Sequence, residues 1–477
     1  MKKQTLLQLP IICLLSFISW SANADNWFEK FKDEASDQEL LLFLTAMPKG
    51  GDIHNHIPGA THAEWFWDLA LSAEKRGYKY YTKVRINNCR YGSNEYSPNK
   101  YLLLFRTVSQ VQYDALEECE RAEYAQVSAL EGRLKEEWIE SMRLDQAHEG
   151  REEFFEALWP RVGGMLNNPY LVADLLVLNM QAFSNEGLIY LEPMLGVHGY
   201  AAPDGSPIAP EAVLEIYRER LKQQDALDTG MTVRFQLSIL RFVQQAEAHL
   251  EAMYRFVAKH PEYVGVNMVG REDNDKGYPL RFLPTLQKLR REVGDVRLSI
   301  HAGEVDEPNE HVRDTLKLGA DRIGHGVNLI KDPETMLMMR YGPYLVEINL
   351  ISNLLLEYVD SYDQHPFPEY LRTDIPVALS TDDRGMWDST MSDEFFVAVK
   401  EFDLTWAEIK KLSFNSLAYS FLEDDKKQHL LYTLTKNLGD FERRFKEQGL
   451  QAFSETKPQY RGFLCRRYEV CAPDHKK

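Results

Sequence analysis

Met47-Pro-Lys-Gly-Gly-Asp-Ile-His-Asn-His56 sets two histidines on either side of one asparagine. Side chains alternate along an extended strand, so His54 and His56 leave the same face and Asn55 the other. That is the spacing of half a metal site. A lone pair of this kind is equally the product of two unrelated surface or core histidines. Its weight comes from three segments downstream: Arg297-Leu-Ser-Ile-His-Ala-Gly-Glu304, Asp321-Arg-Ile-Gly-His-Gly326 and Val377-Ala-Leu-Ser-Thr-Asp-Asp383. Each is a short apolar run that turns polar only at its end, the pattern of a strand buried on both faces in a parallel sheet. Taken singly, His325 could be a satisfied core histidine, His301 could pack beside a loop, and Asp382-Asp383 could cap a helix. Together, in this order and all on strand ends, they define one site.

Eight strands are expected, at 50–56, 187–194, 232–240, 264–270, 297–302, 322–326, 344–349 and 377–381, with amphipathic helical patterns between them. Alternating strands and helices with few long loops predict an α/β fold with a closed parallel sheet, a (β/α)8 TIM barrel. In that architecture the chemistry gathers at the C-terminal strand ends, which explains how residues far apart in sequence share one site. Three imidazoles and a carboxylate, His54, His56, His301 and Asp382, supply a mixed nitrogen and oxygen shell with room for a further ligand, the donor set of a catalytic zinc ion, one per chain. Such an ion lowers the pKa of water toward neutrality. His325, one strand beyond His301, is available to accept or orient the water proton. Asp383 adjoins Asp382 but must point elsewhere, and can accept hydrogen bonds.

These motifs resemble the adenosine deaminase family, zinc-dependent purine-nucleoside deaminases built on a TIM barrel. The resemblance rests on Met47-Pro-Lys49 leading into His54-Asn-His56, His301-Ala-Gly-Glu304, Arg322-Ile-Gly-His-Gly326, and Ser380-Thr-Asp-Asp383 followed by Met391-Ser-Asp-Glu394. It spans roughly residues 40–425, interrupted between about 70 and 150. It implies hydrolytic removal of the 6-amino group of adenosine or deoxyadenosine, giving inosine or deoxyinosine and ammonia. Attack at C6 requires the ring nitrogen N1 to gain a proton, and the resemblance assigns its delivery to Glu304. Burial at a strand end would help Glu304 hold that proton. Tyr263-Val-Gly-Val-Asn-Met-Val-Gly270 is similar to the family's strand whose terminal glycine faces the purine, and Gly270 would let its backbone approach the base. The departures concern the sugar. Many members carry an acidic residue two positions after the second histidine, against the 5′-hydroxyl; here it is Pro58, which cannot accept that bond through its side chain. Asn267 and Arg384 also stand where acidic and proline residues are common. The expected partner is a small purine nucleoside. Alternatives are another adenine-containing compound (a 5′-modified adenosine or adenine), other amidohydrolase chemistry, or a secreted binding or signalling protein that keeps the barrel as scaffold.

The N-terminus adds a compartment. Lys2 and Lys3 precede an apolar stretch from Leu6 to Ile18, and Ala22-Asn-Ala24 offers a small-residue cleavage pattern, so residues 1–24 read as a secretory signal peptide and the product as secreted or periplasmic, with no membrane span after cleavage. A lipid anchor at Cys13 fits less well, because Cys13 lies inside the apolar core. Cleavage takes the formal charge of the 477-residue chain from −18 to −20 by removing two lysines. A surface this acidic excludes nucleic acid polymers as partners. Four cysteines then remain, Cys89, Cys119, Cys465 and Cys471. Pairing within each neighbouring couple is the simplest of three connectivities for an exported protein. Residues 25–46 predict a helical segment on the outside of a barrel at 47–425. Residues 72–150, with a helical stretch from about Val111 to Arg143, look like an insertion after the first strand, similar in placement to that of secreted, growth-factor-like adenosine deaminases or simply an elaborated loop. Thr405-Trp-Ala-Glu408 predicts a capping box opening a helix through Phe421, and 426–477 a helical tail. The state of assembly stays open, a homodimer included.

Overall fold

The computed structural model describes residues 27–87, 89, 103–272, 276–305, 309–468 and 470–471; the expected signal peptide lies outside them. The eight strands are β1 (Gly50–Asp52), β2 (Leu188–Leu191), β3 (Phe235–Leu240), β4 (Tyr263–Val269), β5 (Arg297–Ala302), β6 (Arg322–His325), β7 (Leu345–Ile348) and β8 (Val377–Leu379). Pairing is parallel from β3 through β8 and between β1 and β2. Thr232–Val233, just before β3, pairs with β2. Two further seams complete the ring beyond the strand ends. Asn55 bridges Asp382, and Met194 bridges both His56 and Gln236. The barrel is therefore closed by the segments that carry the motifs. Most strands stop one to four residues short of the sequence expectation, because the polar termini leave the ladder to turn into the site.

The helix cues hold where the cap chemistry is explicit. Thr405 accepts from the Glu408 amide and Glu408 reaches back, opening the helix Trp406–Ala418. The N-terminal segment is two helices, Trp27–Glu34 and Asp37–Ala46, because Ser36 and Glu39 form a second capping box between them. Phe28, Phe31 and Phe43 pack with Trp406, Phe441 and Phe445, the last two on the long helix Asp424–Gln448. Burying rings of this kind stabilises by roughly 1.5–3 kcal/mol each, which fixes both chain ends to the barrel's outside.

The single helix expected from Val111 to Arg143 does not form. Tyr124–Gln126 instead pairs antiparallel with Tyr80–Lys83, whose other edge takes Thr107–Ser109, and the helices Gln110–Asp114, Glu118–Arg121 and Gly132–Glu140 lie around this small sheet. Tertiary pairing overrides local helical propensity here. Cys89 is bonded to Cys119 and Cys465 to Cys471. After this region the helix from Arg151 widens into a π-turn at Phe154–Leu158 before Trp159–Gly163. Pro160 has no N–H to return to the preceding turn, and the widened turn throws Phe154, Phe155 and Trp159 over the barrel mouth. Among the described residues no helix is long and apolar enough to cross a membrane.

Candidate active site

His54, His301, His325 and Asp382 are all buried at the C-terminal strand ends, with one ligating atom from each within 4.8 Å of the others. His56 approaches the same carboxylate oxygen as His54. Its Nε2 is 3.4 Å from Asp382 Oδ1, and the His54 Nε2 is 3.5 Å from that same oxygen. The rings of His54, His56 and His301 lie 4.4–5.8 Å apart, centroid to centroid. The four expected ligands thus converge, with His325 as a fifth donor beside them. Buried His54 Nε2 has no hydrogen-bond partner. An orphaned buried nitrogen aimed at a carboxylate and a second imidazole is the signature of a cation site, and this donor set fits zinc.

The outer nitrogens of these histidines are tied from behind. His54 Nδ1 meets Glu347 Oε2 at 2.6 Å, and His301 Nδ1 meets Asn267 Oδ1 at 2.8 Å. Both contacts turn Nε2 toward the centre, as ligand histidines require. Asn267, a departure in the sequence motif, is accounted for by this bond. Ser352 Oγ donates to Asp382 Oδ2 at 2.7 Å, leaving Oδ1 for the histidines. His325 Nδ1 contacts the Asn353 amide at 3.0 Å, and Asn353 Oδ1 contacts His365 Nε2 at 3.1 Å. Glu347, Ser352, Asn353 and His365 were not evident from sequence. A glutamate inside the otherwise apolar run Leu345-Val-Glu-Ile348 is the signal that could have found the first of them.

Two site residues carry strained backbone. His325 has φ +66° and Asp382 φ +54°, left-handed conformations that non-glycine residues avoid. Asp382 is held there by the ring closure itself, its N–H donating to His54 O and its carbonyl accepting from His56 N–H. Two glycines are needed for space. A Cβ on Gly324 would come within 2.7 Å of the His54 ring, and one on Gly59 would overlap Asp383 Oδ1. Gly270 has φ +95°, and a Cβ there would first meet the Phe242 ring, so its glycine is required by its own wall as well as by any base. Arg384 lies beneath the site, paired with Glu186 at 2.8 Å and stacked on Phe183.

Burial and mutual charge push the acids apart. Burial would raise the Asp382 pKa, but contacts with His54 and His56 hold it well below the usual carboxylate range. Burial, then the neighbouring Asp382 charge, push Asp383 well above it. Glu304 is likewise raised well above its ordinary value, first by burial, then by Asp382 and Glu272. Burial lowers His325 to about 3, so it is neutral near pH 7. Pairs of acids driven in opposite directions are how one site keeps an ionised ligand beside a proton donor.

A cavity of about 430 Å³ opens onto this cluster, with His56, Pro58, His301, Glu304, Asp382 and Asp383 on its floor and Gly270 at its side. Phe154, Phe155 and Trp159 form its roof. Every site residue expected from sequence therefore lies in or directly beneath one pocket.

A sequence model described as adenosine deaminase matches residues 122–437. An adenosine deaminase of Serratia proteamaculans is 29% identical over 53% of this chain and 74% of its own length. An N6-methyl-AMP deaminase of Bos taurus is 27% identical over 53% of this chain and 72% of its own. A Burkholderia ambifaria amidohydrolase solved with bound zinc superposes with a TM-score of 0.57 at 18% identity, covering 86% of this chain and 95% of that one. With its (β/α)8 barrel and a match over most of that barrel, the chain belongs to the adenosine deaminase family and is a hydrolytic purine deaminase.

Proposed function

We propose that the protein is a zinc-dependent deaminase of neutral 6-aminopurine nucleosides, adenosine and deoxyadenosine, acting outside the cytoplasm. One observation carries the substrate. Among the described residues no lysine or arginine lines the cavity, while three carboxylates do. Arg271, which stacks on the roof ring Phe155, is committed to Glu152 at 2.6 Å. A phosphate dianion would find no cationic side chain there to pair with, which favours a neutral nucleoside over a nucleotide. His54, His56, His301 and Asp382 would hold the ion, which supplies a nucleophilic water at neutral pH. Glu304, kept protonated, delivers its proton to N1 as C6 is attacked. His325, neutral, accepts or orients the proton of the attacking water, and Asp383 hydrogen-bonds across the purine edge. The aromatic lining of Phe154, Phe155 and Trp159 lowers the polarity around the bound base, which strengthens each of these contacts.

Pro58 on the cavity floor favours a second reading within the same chemistry, a 5′-modified adenosine. No acceptor from that position is left unpaired when the 5′-hydroxyl is absent. Export is supported by the leader pattern and by two disulfides, which persist in oxidising compartments. A scaffold without turnover is the alternative that the intact acid and histidine set argues against. Ultraviolet conversion of adenosine, deoxyadenosine, adenine, AMP and N6-methyl-AMP by the zinc-loaded mature chain tests the proposal. Adenosine should exceed AMP in kcat/KM by at least about 100-fold. A preference for either nucleotide, or no turnover at all, overturns it.

A further inference from the structure

Glu272 lies two residues beyond Gly270, in no motif of the sequence, yet it is fully enclosed. Its carboxylate faces the loop that presents Glu304. Oε1 accepts the Glu304 N–H at 3.1 Å, and Oε2 accepts the Gly303 N–H at 3.2 Å. His311 Nδ1 contacts Oε2 at 2.7 Å, and Arg241 Nη1 is 3.8 Å from Oε1. Gly303 is in the left-handed region, φ +74°, so the chain turns sharply just before Glu304 and has no strand ladder to hold it. Arg241 also donates to the carbonyls of Met268 and His301, tying the same clamp to β4 and β5.

Resting on the role given above to Glu304, we propose that Glu272 is the positioning residue for the proton donor. It grips the two amides that set the Glu304 backbone and thereby aims its carboxyl at the reacting ring. Two adjacent N–H groups turned onto one carboxylate are charge-assisted bonds, stronger than neutral ones and directional. His311, near the protein surface, orients Glu272 as a carboxylate orients a ligand histidine elsewhere in the site. A general acid displaced by an ångström loses much of its effect while the substrate still binds.

The experiment is a double-mutant cycle on the zinc-loaded full chain, Glu272→Gln crossed with Glu304→Gln, with zinc content, denaturation midpoint, kcat and KM for adenosine measured for each. Glutamine can accept from only one of the two amides. Glu272→Gln should lower kcat about 10–100-fold, within the range for lost supporting contacts, with KM and zinc content near wild type. In the Glu304→Gln background the same change should cost less than about 3-fold, because the donor it aims is already gone. Full additivity in kcat overturns the inference, as does a loss confined to KM. Glu304→Gln with near-normal kcat instead overturns the role of Glu304 and is distinguishable from both. Should Glu272→Gln fail to fold, His311→Ala replaces it, since that side chain is partly exposed and only one bond is removed. A several-fold loss in kcat that vanishes in the Glu304→Gln background supports the proposal, and an unchanged kcat or an additive loss refutes it.

Discussion

Two polar layers lie one above the other inside the barrel, both buried, and they are built on opposite terms. In the lower layer Arg322 meets Glu192 at 2.6 Å and Glu347 at 2.6 Å, and Tyr190 donates to Glu192. Both carboxylates there share the one guanidinium, and Glu347 takes a further contact from His54 Nδ1. In the upper layer three carboxylates crowd four imidazoles, two residues sit at positive φ, and His54 Nε2 and Asp383 Oδ1 have no partner. Polar burial alone therefore says little about role. A layer whose carboxylates are gripped by a buried guanidinium holds the fold, and a layer whose acids crowd imidazoles and leave atoms orphaned is built for a ligand.

Exchanging one residue in each layer breaks the comparison most sharply. Asp382→Ala should lose bound metal and, with it, activity by more than the about 100-fold typical of outer partners, while the unfolding midpoint of the metal-free protein stays near wild type. Arg322→Met should do the reverse in kind. It strands two carboxylates in the core and costs about 3–5 kcal/mol, read as a large drop in denaturation midpoint. If Asp382→Ala proves the more destabilising of the two without metal, the division of labour is wrong.

The upper layer should also leave a pH signature. Glu304 and Asp383 have raised pKa values in the fold, so above about pH 5 the folded, metal-free chain keeps protons that the unfolded chain releases. Their share of the stability falls as pH rises, by about 1.4 kcal/mol per pH unit for each retained proton, until the folded pKa is passed, while the buried neutral histidines contribute the opposite slope below about pH 6.5. Denaturant midpoints across pH 5–8 measure the slope, and Glu304→Gln should flatten it by one proton's worth. An unchanged slope would mean that Glu304 is ionised in the fold.

Gly324→Ala tests the join between the layers. The added methyl meets the His54 ring, which Glu347 holds from below, and metal affinity should fall by roughly 10–100-fold with little change in KM for adenosine in the zinc-saturated enzyme. Normal metal affinity would show that His54 can shift without cost. The smallest effect belongs to the cavity floor. Pro58→Asp should raise the kcat/KM ratio of adenosine over 5′-deoxyadenosine by about 10-fold or more, against a wild type that barely separates them. Strong discrimination in the wild type, untouched by the substitution, would put the reading of the 5′ end elsewhere.

The barrel and the upper layer were legible because both obey local rules. Buried parallel strands are apolar until they end, and catalytic residues sit at those ends, so His301, His325 and Asp382 announce themselves within eight-residue windows. The residues that support the upper layer were not legible, because Glu347, Asn267 and Glu272 look like single polar exceptions whose partners come from elsewhere in the fold. The region around Tyr124 misled for a related reason. Its composition favours helix, and only pairing with Tyr80–Lys83, some forty residues earlier, makes it a strand. The aromatic roof depends on a π-turn, for which Pro160 was the one local clue. Arg384 and Asn267, unreadable as departures from a motif, became intelligible once Glu186 and His301 were seen beside them.

The seam at Asn55 and Asp382 joins the first barrel strand to the last, across more than three hundred residues of chain. A growing polypeptide makes β1 first and β8 last, so the donors on either side of that seam cannot meet until nearly the whole barrel has been synthesised. Metal capture is in this sense a completion check, since a truncated or half-folded chain has His54 and His56 but nothing to close against them. Once closed, an ion held by both sides works as a buckle, and opening the barrel and surrendering the ion become a single event. Amide exchange at His56 and Asp382, whose N–H groups form the seam, would then slow together on metal loading and quicken together on chelation.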